Sequence, residues 1–135
     1  MRLLAVDFGS KNIGIAVCDA LGITVRAVET IRRTSLQHDL ARLKFLIEDL
    51  EAEGVVVGLP LRMDGTTGDA AATVLKFIER LKAETDIPLF TQDERLTSYE
   101  AEQLMRERGF TRAERKARSD EVAAMIILQD YLARR

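Results

Sequence analysis

Apolar positions along the chain change period several times, and each change marks an element. Leu3-Leu4-Ala5-Val6 is an uninterrupted apolar run that ends on Asp7. Residues 2–7, 13–19 and 23–30 run apolar or alternate, with β-branched residues among them, and are read as three successive strands. The connections at 9–12 and 20–22 are short and predict an antiparallel meander. From Leu36 the period lengthens: Leu36, Leu40, Leu43, Ile47 and Leu50 recur at helical spacing. Gly54 is expected to end that helix. Val55-Val56-Val57 is short and wholly apolar, as burial on both faces requires, and Gly58-Leu59-Pro60 breaks it. A second helix is predicted from Asp69 to Glu84, with Val74, Leu75, Ile78 and Leu81 inward. Ile87-Pro88-Leu89-Phe90 opens a fifth strand. Thr97 and Glu100 have the spacing of a capping box, which starts a third helix that Gly109 closes. Ser119 is read as the cap of a last helix, with Val122, Met125, Ile126 and Tyr131 on its inner stripe.

The order β-β-β-α-β-α-β-α-α joins three antiparallel strands to a strand–helix alternation. It predicts an α/β fold with a mixed sheet and helices on both faces. No repeat, low-complexity tract or interior linker interrupts it, and 135 residues suit one domain, 1–135, with a single core. Hydrophobic residues make up 47% and charged residues 31%, which fits a globular chain and not a disordered one. The apolar runs are too short for a membrane span. The chain turns strand-like within two residues of its start, so no signal peptide is expected. The one cysteine, Cys18, falls in a strand and reads as a small buried hydrophobe. A cytoplasmic location is the expectation that follows.

Net charge is −2, from 20 Lys and Arg against 22 Asp and Glu. Global basicity is therefore absent, and any nucleic-acid contact must be local. Residues 112–118, Arg-Ala-Glu-Arg-Lys-Ala-Arg, offer one such place.

Three acidic sites stand at predicted strand ends or helix starts. Asp7 ends the first strand, Asp93 and Glu94 end the fifth, and Asp120 begins the last helix. Each has an ordinary alternative: Asp7 as a turn cap, Asp93 and Glu94 as surface partners of Arg95, Asp120 as a complement to a helix dipole. Together they point elsewhere. Segments this distant converge where parallel strands present their carboxyl ends. Carboxylates gathered there repel unless a cation joins them. Mg²⁺ or Mn²⁺ takes oxygen ligands, and two such ions about 4 Å apart activate water and stabilise a leaving phosphodiester oxygen. No His or Cys has zinc spacing, and the single histidine, His38, reads as a solvated helix residue.

The chain resembles the YqgF (RuvX-like) family of ribonuclease H-like nucleases. Four segments carry the resemblance: 7–17 (DFGSKNIGIAV), 57–66 (VGLPLRMDGT), 93–101 (DERLTSYEA) and 120–128 (DEVAAMIIL). They occur in order and span nearly the whole chain. The resemblance implies a ribonuclease H-like fold, a five-stranded mixed sheet in the order 3-2-1-4-5, and a metal-dependent endonuclease. Members are described as nucleases that mature the 5′ end of pre-16S ribosomal RNA, or as Holliday-junction resolvase-like enzymes. The family's acidic positions fall on Asp7, Glu94 and Asp120, which the resemblance makes both catalytic and metal-binding. One departure stands out. The wider fold usually carries an acid at the end of the fourth strand, and this chain has Gly58-Leu59-Pro60. In a 3-2-1-4-5 sheet, strand five lies two spacings from strand one, roughly 10 Å. A Glu spans that gap better than an Asp, which ranks Glu94 above Asp93.

Lys11, beside Asp7, is placed to meet a phosphate as a point charge. Arg95 and Thr97 are candidates to contact phosphate or brace the carboxylates. Arg112, Arg115, Lys116 and Arg118 would supply local positive surface, each neutralised phosphate steepening the salt dependence by about 0.9 on duplex DNA. The loop 58–68 is expected to border the site. The partner is structured RNA or branched DNA, and a homodimer is the assembly that two symmetric cuts in a junction call for. Two other readings compete. Asp7-Phe8-Gly9-Ser10 also resembles the first phosphate turn of actin-like ATPases and sugar kinases, which would make the chain a nucleotide-binding phosphotransferase, although 135 residues leave little for a second lobe. The basic stretch alone would suit a non-catalytic RNA- or ribosome-binding module.

Overall fold

Five strands and four helices follow in the predicted order: β1 Leu3–Phe8, β2 Asn12–Cys18, β3 Val25–Arg32, α1 Leu36–Asp49, β4 Gly54–Leu59, α2 Asp69–Lys82, β5 Leu89–Asp93, α3 Thr97–Glu107 and α4 Arg112–Arg134. This is a computed structural model, and it describes the backbone of residues 1–135 and every side chain but that of Ser98. The sheet order is β3-β2-β1-β4-β5. β1 pairs antiparallel with β2, and β2 with β3. β1–β4 and β4–β5 are parallel. The carboxyl ends of β1, β4 and β5 therefore share one edge with the start of β2.

Strand alternation sorts the core into two layers. Leu4, Val6, Ile13, Ile15, Val55 and Val57 face one side and pack under Leu43 and Leu46 of α1 and Phe77, Ile78 and Leu81 of α2. Leu3, Ala5, Ala16, Cys18 and Val56 face the other side and meet Ala124, Ile127 and Leu128 of α4. α3 packs on α4 through Ala101 and Met105 against Val122, Ala123 and Ile126. Small residues dominate the sheet face under α4, so that helix lies close to the strands. Among the described residues no helix is long and apolar enough to cross a membrane.

Several predicted boundaries move, each for a local reason. α1 ends at Asp49 with Leu50 as its cap, and Glu51, not Gly54, takes the left-handed conformation (φ 55°). Gly54 instead opens β4, where a Cβ would stand 2.8 Å from Leu3 Cδ2. In α2, Leu75 is 40% exposed and Phe77 is buried. Leu75 sits about 100° around from Val74, off the stripe of Ala71, Val74, Ile78 and Leu81. Thr97 does not cap α3: Leu96 holds that position with no side-chain bond, and Thr97 is buried. Gly109 does close α3, with φ 77° and a bond from Phe110 N to Met105 O.

The largest shift concerns α4, which starts at Arg112 and not at Ser119. Thr111 Oγ1 accepts from Glu114 N at 3.1 Å, and Glu114 Oε1 accepts from Thr111 N at 2.9 Å. Residues 112–118 lack apolar period but are rich in good helix formers behind a capping box. Asp120 consequently lies about two turns inside the helix. It is no helix-terminal residue, and its placement there has to be explained by what it faces.

Candidate active site

Asp7 is delivered by strand alternation. Leu3, Ala5 and Asp7 share the face toward α4, and Asp7 registers opposite Gly14 on β2. A Cβ on Gly14 would overlap the Asp120 carbonyl. Only glycine lets the α4 backbone lie directly on β2 here, and this contact brings Asp120 beside Asp7. The Asn12 side chain, at the start of β2, lies near enough to the Asp120 carboxylate to favour its charged form.

Glu94 follows the last residue of β5, two strands from Asp7. Its path to Asp7 crosses the end of β4 at Gly58. A Cβ there would stand 2.9 Å from Glu94 Cδ and 3.0 Å from Glu94 Oε2. The position that lacks the expected acid is thus occupied in space by the carboxyl of the neighbouring strand. Glu94 N donates to Leu59 O at 3.1 Å, which pins the start of that side chain to β4. The Asp7 and Glu94 carboxyls end within hydrogen-bonding reach of each other.

Electrostatics follow from this convergence. Burial raises Asp7 to about 6; the nearby Glu94 hydrogen bond works against that rise, and the Asp120 charge adds to it. Burial, then the Asp7 charge, pushes Glu94 up to about 9. Burial also raises Asp120, while Asn12 holds it down. Two carboxyls in one buried place cannot both ionise cheaply, so the pair retains a proton at neutral pH. Gln92, two residues before Glu94 and in register with Gly58, keeps a buried amide oxygen with no hydrogen-bond partner among the described residues.

The remaining candidates take varied positions. Asp93 is turned to Arg95, whose Nη2 approaches Asp93 Oδ2 at 2.7 Å. Although burial raises Asp93, its bonds from Arg95 leave it below the usual carboxylate range. Arg95 Nη1 also donates to Met63 O at 3.0 Å and ties the loop after β4 to the segment after β5. Pro60 and Leu61 of that loop line a hollow of about 550 Å³ together with Asp7 and Glu94. Arg115 donates to Glu102 Oε1 at 3.0 Å and to Phe110 O at 2.9 Å, fastening α4 to α3. Arg118 pairs with Glu121 at 3.1 Å. Lys11 and Lys116 are exposed. Sequence reasoning passed over Asn12 and Arg33. Asn12 lay inside a recognised segment without a role, and Arg33 lay at a strand end where nothing signals that its guanidinium reaches Gly9 O at 3.1 Å.

Among the described residues no three His, Cys, Asp or Glu side chains already surround one point. The donor chemistry nevertheless suits a hard divalent cation. It offers carboxylate oxygens only, in a buried pair that ionises at a cost a cation would offset.

A family model described as "RuvX: Holliday junction resolvase" matches residues 1–134. Among curated proteins, one from Natranaerobius thermophilus is 44% identical over 134 residues, covering 99% of this chain and 95% of its own. Another, from Desulforamulus reducens, is 41% identical over 132 residues, covering 98% and 96%. Both carry the name "Putative pre-16S rRNA nuclease". Of solved structures, RuvC from T. thermophilus in complex with a Holliday junction substrate superposes with a TM-score of 0.60 at 16% identity, covering 99% of this chain and 95% of that one. The Fowlpox virus resolvase bound to Holliday junction DNA gives 0.63 at 11%, covering 99% and 98%. At these identities the two structures speak for the fold, a ribonuclease H-like one, as the sheet order already indicates.

Proposed function

The chain belongs to the RuvX family, and from that premise we propose that it is a metal-dependent endonuclease that hydrolyses phosphodiester bonds in structured nucleic acid. Its relatives' names point to pre-16S ribosomal RNA, and the family description points to four-way junctions. Both substrates present a folded phosphate backbone to a site of this kind. The observation that carries the reading is the contact of the Asp7 and Glu94 carboxyls at the carboxyl edge of the sheet, with Gly58 left bare so that Glu94 can cross and the Asp120 charge near enough to act on Asp7.

In this reading Asp7, Glu94 and Asp120 would hold Mg²⁺ or Mn²⁺. Bound there, the ion supplies Lewis acidity toward the phosphate and the attacking water. The chain's own residues do the rest. β1 holds Asp7 rigidly, since its neighbours Leu4, Ala5 and Val6 are fully buried. The Gly14 contact sets the height of α4 and thus of Asp120, and Asn12 favours the charged form of that carboxylate. Asp7 and Glu94 would have to give up their shared proton to hold a cation, which would tie its binding to deprotonation. Lys11 at the β1–β2 turn and Lys116 on α4 meet flanking phosphates as point charges. Arg118 adds charge on the same helix. Arg95, Thr97 and Arg115 act as braces for the loops and helices around the carboxylates. Two copies of the chain would be needed to cut a junction symmetrically.

The test is a cleavage panel with pre-16S RNA and a four-way DNA junction, each with Mg²⁺ and with Mn²⁺. Wild-type protein is expected to cut at least one substrate, and Asp7→Asn and Glu94→Gln to lose that activity while remaining folded. Cutting by Asp7→Asn at the wild-type rate would overturn the reading.

A further inference from the structure

A second hollow, of about 510 Å³, continues from the first along α2. The two share Phe8, Arg33 and Thr73. Its floor is the stacked pair Phe8 and Phe77, with ring centroids 4.0 Å apart. The Arg33 guanidinium lies 4.3 Å above the Phe8 ring. Its Nε donates to Asp39 at 3.2 Å and its Nη1 to Gly9 O at 3.1 Å. Asp39 is fully buried. A buried ion pair of this kind is weak evidence for stability, but it holds the Arg33 fork in one orientation at the junction of the two hollows.

Lys76 and Arg80 stand on the rim farther along. They are four residues apart on α2, both exposed, and neither makes an ion pair or hydrogen bond among the described residues. Like charges at that spacing repel by a few tenths of a kcal/mol. Glu79 also lines this hollow and pairs with Lys82 at 3.4 Å, so on this stretch of α2 the three cations Lys76, Arg80 and Lys82 face one carboxylate. In the basic stretch on α4, Arg115 and Arg118 are paired with glutamates, and Arg112 and Lys116 have no such partner among the described residues. Lys11 and Lys116 also stand exposed and unpaired among the described residues, but the cations that line a hollow continuous with the acidic site lie on the α2 side. From Thr73 to Arg80 the rim runs about 10 Å along the helix, about three base-pair rises of 3.4 Å.

We infer that one strand of the nucleic-acid substrate leaves the catalytic acids along this groove, its phosphates held by Arg33, Lys76 and Arg80. The inference rests on the nuclease reading for its substrate class and adds the direction in which the strand runs. Charge complementarity selects the occupant: a phosphate backbone supplies anions at the spacing of the rim, and an apolar floor tolerates the sugar and base edges.

Binding measured without cleavage tests it. Fluorescein-labelled four-way DNA junction and labelled RNA hairpin are titrated in EDTA with the full chain, with Lys76→Ala/Arg80→Ala, and with the charge-matched Arg26→Ala/Arg108→Ala. Arg26 and Arg108 are exposed and line neither hollow. The groove variant is expected to bind about tenfold more weakly at low salt, and its slope of log affinity against log salt on the DNA to be shallower by about 1.8, or 0.9 for each lost phosphate contact. The matched variant keeps the wild-type slope. Equal effects of the two variants, wild-type binding by the groove variant, or no binding by the wild-type chain would each overturn the strand path. Manganese-dependent cleavage assayed in parallel separates the two readings: a groove effect without cleavage supports the path and sinks the endonuclease.

Discussion

Gly58→Ala puts the candidate site to its sharpest test, because it adds one methyl group and removes nothing. The new Cβ would stand 2.9 Å from Glu94 Cδ, 3.0 Å from Glu94 Oε2 and 2.5 Å from Ile127 Cδ1. Carbon atoms in ordinary contact are about 3.5–4.0 Å apart, so the Glu94 carboxyl must retreat by about 0.6–1.1 Å. Ile127 can turn its terminal methyl aside, whereas Glu94 has to pass over residue 58 to reach Asp7. Catalytic groups tolerate about 0.5 Å of displacement, and about 1 Å costs on the order of 10²-fold in rate. Stability should change far less. Overpacking costs about 1–3 kcal/mol, and replacing glycine within a strand returns about 0.5–1 kcal/mol. The expected result is a cleavage rate with Mn²⁺ down about 10²-fold, in a protein whose thermal transition moves only by a few degrees. A Gly58→Ala protein that cuts within about threefold of wild type would refute the argument that the bare position exists to let Glu94 cross.

Gly14→Ala should act on the other carboxylate: its Cβ overlaps the Asp120 carbonyl, so α4 must lift from β2, with a loss of about 1–3 kcal/mol in urea denaturation and a matching loss of cleavage. For pH, Asp7 and Glu94 are both raised above their ordinary values of 3.8 and 4.5, to about 6 and about 9. The folded state then binds more protons than the unfolded one, so metal-free stability falls as pH rises from about 4 to about 9. Thermal melts in EDTA should show that decline, Mn²⁺ should reverse more of it at higher pH, and Glu94→Gln should flatten it; a metal-free protein that grows more stable across this range would contradict the shared-proton pair. Asp39→Ala strips the buried partner from Arg33 and should cost about 3 kcal/mol by urea denaturation. Thr111→Ala removes the cap that starts α4 and should cost about 1 kcal/mol, read from the same denaturation curves.

Much of the architecture can be read along the chain because burial has a local period. The apolar runs in 2–7 and 13–19, the helical spacing of 36–50 and the triple valine at 55–57 each report one face or two faces meeting a core, and the nine elements appear in the order those periods predict. Acids at strand tips and the four ordered segments were legible for the same reason: they are properties of contiguous residues. Where a boundary was set by a polar cap, as at Thr111, the apolar period was silent and the prediction slipped to Ser119.

Convergence is of a different kind. That Glu94 crosses Gly58, that Gly14 admits the backbone at Asp120, and that Arg33 reaches back to Gly9 depend on sheet register and on the height at which a helix rests. Each joins residues remote in the chain, and no local period records their distance. The groove along α2 belongs to the same class, since its walls come from a strand tip, the end of β3 and a helix rim that meet only when the sheet is assembled. Local burial preferences therefore dictated which elements form and which acids they carry. Packing between distant elements determined which of those acids meet, and which cations are left facing solvent beside them.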